Sequence, residues 1–292
     1  MKYFDTENEV FLRAKKILDE ADAVFVYTGA GMSAPSGAPT FRGDKGFWNA
    51  FPQYEALGMN FQMMANPRTF EDYLPLALGF YGFRLNLYKS LKPHSGYEAL
   101  KRLFDMKQYG GYVVTSNVDG HTQKAGIENV LEEHGSINAW QCIDRLCSDR
   151  KGLVEAPKIV VDESTMRGEI EEEHFCSCGK ALRPNILMFW DGRFCETTYR
   201  SQSAAYQKYK YGLMEKRNPV KVAVLEIGAG DEIDTMRVMA NSTASSFETR
   251  VIRINLDEEK ETHYNRAIHL QGDAEQIINA LVPSEKEDLQ AA

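Results

Sequence analysis

A glycine-rich loop near the start of the chain has the residue types of a phosphate-binding turn. Residues 29–34 (GAGMSA) fit the pattern G-x-G-x-x-A and directly follow the apolar run at 23–28 (AVFVYT). Glycines at these positions let backbone N–H groups approach a pyrophosphate where a helix begins. An ordinary glycine-rich turn fits the same pattern, so the loop indicates nucleotide binding without deciding it.

After this loop the chain departs from the nucleotide-binding unit of NAD(H) dehydrogenases. That unit needs a full helix, a second strand and an acidic residue about 20 positions on, which holds the ribose hydroxyls. Here a segment with two prolines, 35–43 (PSGAPTFRG), interrupts, and a carboxylate at a strand end comes only with Asp257 after 251–254 (VIRI). The sequence therefore favours nucleotide binding without hydride transfer.

Four of the five cysteines form two close pairs, Cys142 with Cys147 and Cys176 with Cys178. In a reducing compartment such pairs favour a metal site over disulfides, and structural Zn²⁺ prefers four tetrahedral sulfur ligands. The C-x-C spacing of the second pair is tight, and His174 is the alternative ligand if one cysteine does not bind. The remaining cysteine reads most simply as a buried or surface thiol.

Four separated segments resemble one family, the sirtuins, nearest to a divergent bacterial-type branch. They are 29–43 (GAGMSAPSGAPTFRG), 115–126 (TSNVDGHTQKAG), 132–136 (EEHGS) and 183–189 (RPNILMF). The resemblance covers nearly the whole chain. It implies an NAD-dependent protein-lysine deacylase, a deacetylase or desuccinylase or both, that consumes NAD and releases nicotinamide and an O-acyl-ADP-ribose.

The resemblance also assigns roles to residues. His134 matches the general base, and an imidazole with a reference pKa of about 6.5 suits proton transfer at neutral pH. Asn117, the second catalytic candidate, serves the nicotinamide and its ribose together with Asp119. The full set expected to bind the cofactor is Gly29, Ala30, Gly31, Ser33, Phe41, Arg42, Ser116, Asn117, Asp119, Gly228, Ala229, Gly230, Asn255, Asp257 and Ala274.

On the substrate side, the candidates are Tyr81, Arg84, Leu187 and Phe189. The first two resemble the Y-x-x-R pair of sirtuins that remove malonyl, succinyl or glutaryl groups. A phenol and a guanidinium suit an acyl carboxylate, because arginine forms strong charge-assisted hydrogen bonds. The alternative is a packed ring and a cation that snorkels from a helix to solvent.

The chain departs from the family pattern at several positions. Ser116 stands where the family usually has Gln, and Gly230 replaces a serine, which removes a hydroxyl contact. Thr122 occupies the place of a family histidine, and we expect the neighbouring His121 to be a solvated loop residue. Trp190 replaces the glycine of F-G-E and is expected to narrow or reshape the substrate channel.

Apolar periodicity places these residues on an α/β fold, a Rossmann-like parallel sheet with a smaller inserted module. Short apolar strands alternate with helical segments, a pattern that is typical of parallel sheets. The predicted elements are a helix at 7–21, a strand at 23–28, a loop at 35–46, two or three helices within 47–92, a helix at 94–105, and strands at 112–117, 220–228 and 249–255.

These elements predict two domains. Residues 1–44, 93–138 and 185–292 form the Rossmann-like NAD-binding domain. Residues 45–92, a helical module, and 139–184, the zinc-binding module, form the smaller one.

Bulk composition limits the location and partners. Thirty-four basic against forty-two acidic side chains give a net charge of −8, which argues against a general nucleic-acid or membrane-surface binder. No apolar run approaches the roughly 20 residues that cross a bilayer. The N-terminus is acidic without an apolar core, unlike secretory or Arg-rich transit peptides. We therefore expect a cytoplasmic enzyme acting on acylated-lysine proteins.

Two other functions stay open. One is protein mono-ADP-ribosyl transfer, in which the same displacement of nicotinamide passes ADP-ribose to a protein. The other is a noncatalytic NAD or ADP-ribose sensor. The presence of both His134 and Asn117 favours deacylation over either.

Overall fold

The structure, a computed structural model, describes residues 5–40, 43–144, 146–147, 153–230, 234–256 and 267–284. The helices are α1 (Glu9–Glu20), α2 (Ala30–Ser33), α3 (Gly43–Ala50), α4 (Pro52–Ala56), α5 (Phe61–Met64), α6 (Arg68–Asp72), α7 (Leu74–Ser90), α8 (Ser95–Met106), α9 (His121–Lys124), α10 (Thr197–Met214), α11 (Thr235–Ser246) and α12 (Ala274–Leu281). The strands are β1 (Ala23–Thr28), β2 (Gly111–Thr115), β3 (Val130–Glu132), β4 (Gly135–Cys142), β5 (Val154–Glu155), β6 (Val161–Asp162), β7 (Arg167–Gly168), β8 (Leu182–Ile186), β9 (Val222–Ile227), β10 (Val251–Asn255) and β11 (Ile268–Gln271).

The main sheet is parallel and confirms the predicted fold class. Its six strands lie in the order β11-β10-β9-β1-β2-β3. The strand order reverses between β1 and β9, and in open α/β sheets ligands bind at the carboxyl ends of the strands at such a point. The loop at 29–34 therefore begins at the edge where a nucleotide is expected.

Alternating side chains of β1 bury both faces of the sheet, because successive residues of a strand point to opposite sides. Val24 and Val26 belong to the apolar core that includes residues of α1, α8 and α12. Phe25 and Tyr27 pack on the other side with residues of α10 and α11. Burial on both faces explains why the strand reads as a continuous apolar run.

The inserted helical segment differs from the prediction. Residues 43–90 form five helices rather than two or three, and α3 begins inside the predicted loop at 35–46. Four of the five are only four to eight residues long, and prolines stand in the first turn of α4 and of α7. Such short helices are too brief to show a clear apolar period.

A second sheet is antiparallel, with its strands in the order β5-β4-β8, and it contains residues of both predicted domains. Its strands β4 and β8 run across residues 138/139 and 184/185, where the sequence places the borders of the zinc-binding module. The division into domains stays a prediction. Among the described residues, no helix combines the length and hydropathy that crossing a bilayer requires.

Candidate active site

Five strand ends bring predicted catalytic and cofactor-binding residues to one edge of the main sheet. The carboxyl ends of parallel strands share an edge, so segments distant in sequence become neighbours. The residues that end or follow β1, β2, β3, β9 and β10 at this edge are Gly29, Asn117, His134, Gly228 and Asn255.

The two glycine loops of this edge interlock through their backbones. The Gly31 N–H donates to the Gly228 carbonyl at 2.9 Å. A Cβ on Gly31 would lie 2.6 Å from Gly228 Cα, and a Cβ on Gly228, whose φ is +62°, would lie 2.4 Å from the Gly31 carbonyl carbon. Any side chain at either position would force the loops apart. Asn255 supports the second loop, because its Nδ2 donates to the Ala229 carbonyl at 2.8 Å.

Ser33 is the centre of a polar network beside these loops. Its Oγ donates to Asp119 Oδ2 at 2.6 Å and lies 2.9 Å from the Tyr97 hydroxyl. Asn117 Nδ2 donates to the same Oγ at 3.1 Å and to the Gly29 carbonyl at 2.9 Å. The network fixes the amide and the carboxylate relative to the first glycine loop.

His134 lies in the turn between β3 and β4. Burial lowers the pKa of its imidazole, and a hydrogen bond with the backbone of Ser116 opposes this in part. A lowered pKa keeps the ring neutral at neutral pH, as a general base requires. The His134 carbonyl accepts from the Leu187 N–H at 2.9 Å, so the segment after β8 runs beside the histidine.

Tyr81 and Arg84 lie together on α7, and both are buried. The guanidinium carbon of Arg84 is 5.5 Å from the centroid of the Tyr81 ring, and Arg84 Nε donates to the Tyr88 hydroxyl at 3.3 Å. Burial raises the pKa of Tyr81 to about 12. The Tyr81 hydroxyl makes no hydrogen bond to any described residue. Arg84 is therefore not a cation that snorkels to solvent.

The four paired cysteines converge. Their Sγ atoms all lie within 4.8 Å of one another, with Cys142 and Cys178, and Cys147 and Cys176, each 3.6 Å apart. Zn–S bonds of 2.3 Å in a tetrahedron place sulfurs about 3.8 Å apart, so the set fits Zn²⁺. His174 is not needed, because its ring nitrogens hydrogen bond the backbone of Glu171 and Lys158.

A family model described as the Sir2 family matches residues 29–210. The chain belongs to the Sir2 family. Its relatives include an NAD-dependent protein deacylase of Pyrococcus abyssi, 32% identical over 181 residues, which are 62% of this chain and 66% of that protein. Another is the NAD-dependent protein deacylase of Thermococcus kodakarensis, 33% identical over 177 residues, 60% of this chain and 63% of that protein. These alignments span just under two thirds of the relatives' own length.

Solved structures of the Sir2 family share the fold. A Sir2 homologue in complex with NAD has a TM-score of 0.68 at 22% identity, and the match covers 100% of this chain and 97% of that one. A Sir2 homologue in complex with ADP-ribose also has a TM-score of 0.68 at 22% identity, covering 96% and 98%. The predicted family and fold are thus confirmed.

One departure from the Sir2 pattern was interpreted wrongly. His121 is not a solvated loop residue, because none of its surface is exposed. Gly120, with φ +75°, precedes the first residue of α9. The centroid of the His121 ring lies 6.5 Å from that of Tyr88 and 6.0 Å from that of Tyr97. Burial lowers the pKa of this imidazole. A helix of four residues is too short for the sequence to show which side faces inward.

Trp190, which was expected to narrow or reshape the substrate channel, lies at the surface, where it is 76% exposed and borders an open groove. Its backbone has φ +54°, the left-handed region that favours the glycine of the Sir2 pattern. The indole therefore forms an outer wall and does not fill an interior.

The remaining candidates lie as follows. Ala274 is buried at the start of α12, in the apolar core. Phe189 is half-buried with its ring 6.0 Å from that of Phe61. Gly230 is exposed and packs against nothing within 4 Å of a Cβ position. Ala30 starts α2, and Ser116 Oγ donates to the Thr28 carbonyl at 3.3 Å. Three predicted cofactor residues lie outside the described residues: Phe41, Arg42 and Asp257.

Sequence reasoning missed Tyr97 and Asp191. Tyr97 reaches Ser33 from α8, and Asp191 forms a buried ion pair with Arg183 in which the carboxylate accepts one hydrogen bond, from Nη2. No motif marks Tyr97, and Asp191, at the last position of the F-G-E pattern, was given no role. A buried tyrosine hydroxyl that needs a partner was the available signal for Tyr97.

Proposed function

We propose that the chain is an NAD-dependent protein-lysine deacylase that releases nicotinamide and an O-acyl-ADP-ribose. The observation that carries the proposal is the arrangement at the carboxyl edge of the sheet, where Asn117 and Asp119 both hydrogen bond Ser33 and His134 hydrogen bonds the backbone of Ser116, next to Asn117. The names of the relatives and the NAD and ADP-ribose complexes of Sir2 homologues support it.

The described residues fit a dinucleotide. The loops of Gly31 and Gly228 pack backbone against backbone at the carboxyl edge of the sheet, where a pyrophosphate is expected beside the start of α2. Asn117 and Asp119 offer an amide and a carboxylate beside them, which suit a carboxamide and a ribose hydroxyl. When bound, NAD supplies the glycosidic bond to nicotinamide whose cleavage is coupled to removal of the acyl group.

The residues of the chain have three separate roles in the proposed reaction: proton transfer, positioning and structural metal binding. His134, kept neutral by burial, accepts a proton from a ribose hydroxyl. Ser33 holds Asp119 and Asn117 in place through its hydrogen bonds. The four cysteines would hold Zn²⁺ as a structural ion, because a site closed by four sulfurs leaves no position for a substrate.

On the acyl side, we propose that Tyr81 and Arg84 bind a terminal carboxylate, so that succinyl is a substrate beside acetyl. The support is a buried guanidinium on aromatic rings and a buried hydroxyl with no hydrogen bond among the described residues. A buried polar group is stabilised when it gains a partner. Leu187 and Phe189 are proposed to contact the lysine segment, since Leu187 bonds the His134 backbone.

The proposed substrates are acylated-lysine proteins in the cytoplasm, and neither nucleic acid nor membrane is proposed as a partner. The net charge of −8 supports this choice.

The decisive experiment incubates the protein with NAD and acetyl-, succinyl-, glutaryl- and long-chain-acyl peptides. We expect nicotinamide release and acyl-ADP-ribose in equal amounts, and His134→Ala should abolish turnover while NAD binding by calorimetry persists. Deacylation by His134→Ala at the parent rate would contradict the assignment. A mass gain on an acceptor protein would indicate mono-ADP-ribosyl transfer instead. Absence of nicotinamide release with every peptide would indicate a sensor.

A further inference from the structure

Trp190 stands at the tip of the segment after β8 in a backbone conformation that its side chain disfavours. Its φ is +54°, and 76% of the side chain is exposed. Left-handed backbone is unfavourable for residues with a Cβ, and such strain tends to persist at binding and catalytic sites. An exposed indole held in this conformation is therefore a candidate for a contact with a partner.

A buried ion pair holds this turn in place. Arg183 and Asp191 bury their side chains completely, with Arg183 Nη1 2.8 Å from Asp191 Oδ2 and Nη2 3.0 Å from Oδ1. The same carboxylate accepts the backbone N–H of Arg193 at 2.8 Å and of Met188 at 3.3 Å. The carboxylate thus ties both ends of the turn, and Trp190 between them is directed outward.

The exposed indole borders a groove of about 510 Å³. Its charged side chains are Arg68, Arg193 and Glu71, and the last two form an exposed ion pair. Two arginines against one carboxylate leave the groove positive. The other residues that line it are Asn66, Pro67, Trp190 and Gly192.

One wall of the groove, Trp190, lies beside a proposed contact of the acyl-lysine. The Trp190 ring lies 5.8 Å from that of Phe189, a proposed substrate contact. Trp190 comes three residues after Leu187, whose N–H bonds the His134 carbonyl. An extended chain rises about 3.3 Å per residue, so the two positions are at most about 10 Å apart.

We propose that this groove binds the stretch of substrate polypeptide two or three residues from the acyl-lysine, and that it selects an acidic side chain there. The indole of Trp190 packs on the substrate chain, and Arg68 pairs with the carboxylate. The proposal rests on the proposed deacylase function and adds the sequence preference of the substrate.

The test compares two acetyl-lysine peptides that carry either Glu or Lys at the positions two and three residues from the acyl-lysine. We expect the parent protein to turn over the acidic peptide with a kcat/KM about three to five times higher, since exposed ion pairs are weak. Arg68→Glu should reverse the preference, and Arg217→Glu, an equal charge change outside the groove, should not. Equal efficiency on both peptides, or a preference that Arg68→Glu leaves unchanged, overturns the proposal.

The indole has its own test. Trp190→Gly suits the backbone and removes only the ring, and it should raise the KM of both peptides severalfold while kcat changes less. The control is Tyr211→Ala, which removes an exposed aromatic ring from α10, outside the groove, and should leave both KM values unchanged. Unchanged KM values in Trp190→Gly overturn the role of the indole.

A binding experiment tests the groove independently of the proposed deacylase function. Unacylated acidic and basic peptides are titrated into the parent and Arg68→Glu proteins by calorimetry. Tighter binding of the acidic peptide, lost in Arg68→Glu, supports the groove even if no peptide is deacylated. Lack of turnover would then contradict the deacylase, and equal weak binding of both peptides would contradict the groove.

Discussion

The hydroxyl of Tyr97 donates its hydrogen bond to the hydroxyl of Ser33. Ser33 has one hydroxyl proton, and its short contact of 2.6 Å to Asp119 uses that proton. The Asn117 amide donates to one lone pair, and the Tyr97 hydroxyl at 2.9 Å donates to the other. Burial raises the pKa of Tyr97, so the phenol stays protonated. The Ser33 hydroxyl is thereby fully satisfied.

Tyr97→Phe should weaken this network. Ser33 loses one donor, Asn117 and Asp119 become less fixed, and we expect nicotinamide release to fall about threefold to tenfold with a loss of about 1 kcal/mol in the free energy of unfolding. Steady-state kinetics with varied NAD and urea unfolding measure the two effects. Tyr209→Phe, which removes a hydrogen bond to the Tyr109 carbonyl, is the control for stability alone. Identical kinetics for the two variants would refute the positioning role.

Two buried histidines, His94 and His121, and the half-buried His134 should make the fold sensitive to acid. Burial lowers the pKa of His94, His121 and His134 below 6.5 in the folded protein. Between these lowered pKa values and about pH 6.5, the unfolded chain binds more protons than the folded protein. The free energy of unfolding should therefore decrease as the pH falls from about 6.5 through the lowered pKa values. Urea unfolding at about pH 7.5 and about pH 5.5 measures the difference. His121→Asn should reduce it, and an unchanged pH dependence in that variant would argue against this source.

The four-cysteine cluster predicts a stoichiometric metal. Cys178→Ser should lose tightly bound zinc and lower the thermal midpoint, because one thiolate ligand is missing. Cys195→Ser, a thiol outside the cluster, should keep one zinc per chain. Metal content measured by mass spectrometry distinguishes the two variants. A full zinc complement in Cys178→Ser would show that this thiol is not a ligand.

The proposed acyl clamp predicts a change in selectivity. Arg84→Met should reduce desuccinylation about tenfold or more relative to deacetylation, because the charged partner of the acyl carboxylate is lost. The ratio of the two kcat/KM values is the measurement, since the loss of a buried arginine also lowers stability. Tyr81→Phe should shift the ratio in the same direction to a smaller extent. Equal losses on both acyl groups would assign Arg84 to packing alone.

The conformation of Trp190 predicts an inverted order of stability. At φ +54° a residue with a Cβ is strained, so Trp190→Gly should be more stable than Trp190→Ala by about 1 kcal/mol, although glycine is ordinarily the less stable of the two. Chemical denaturation of both variants measures the difference in their free energies of unfolding. An alanine variant at least as stable as the glycine variant would show that the turn relaxes.

The sequence predicted the centre of the fold better than its edges. β1 has the predicted bounds of 23–28, because a strand buried on both faces is a continuous apolar run. β3 and β11 were not predicted, since three or four residues are too few to show a period. For the same reason the sequence did not predict the short helices between 43 and 72 as separate elements.

The candidate site shows the same division. Motifs marked His134 and Asn117, and the cysteine pairs converge as their spacing predicted. The sequence could not show that Tyr97 bonds Ser33 or that Asp191 bonds Arg183, because those contacts arise only when separate elements pack together. His121 was misjudged because its burial depends on α7 and α8 beside it.

The interlocking of Gly31 with Gly228 has a consequence for affinity. Each loop braces the other through backbone contacts, so the edge of the sheet that they form keeps its shape before any ligand arrives. A ligand that enters a preorganised crevice loses less free energy to the ordering of loops than one that must mould its own pocket. Substituting either glycine should therefore loosen the empty protein first, and weaker association would follow from that loosening.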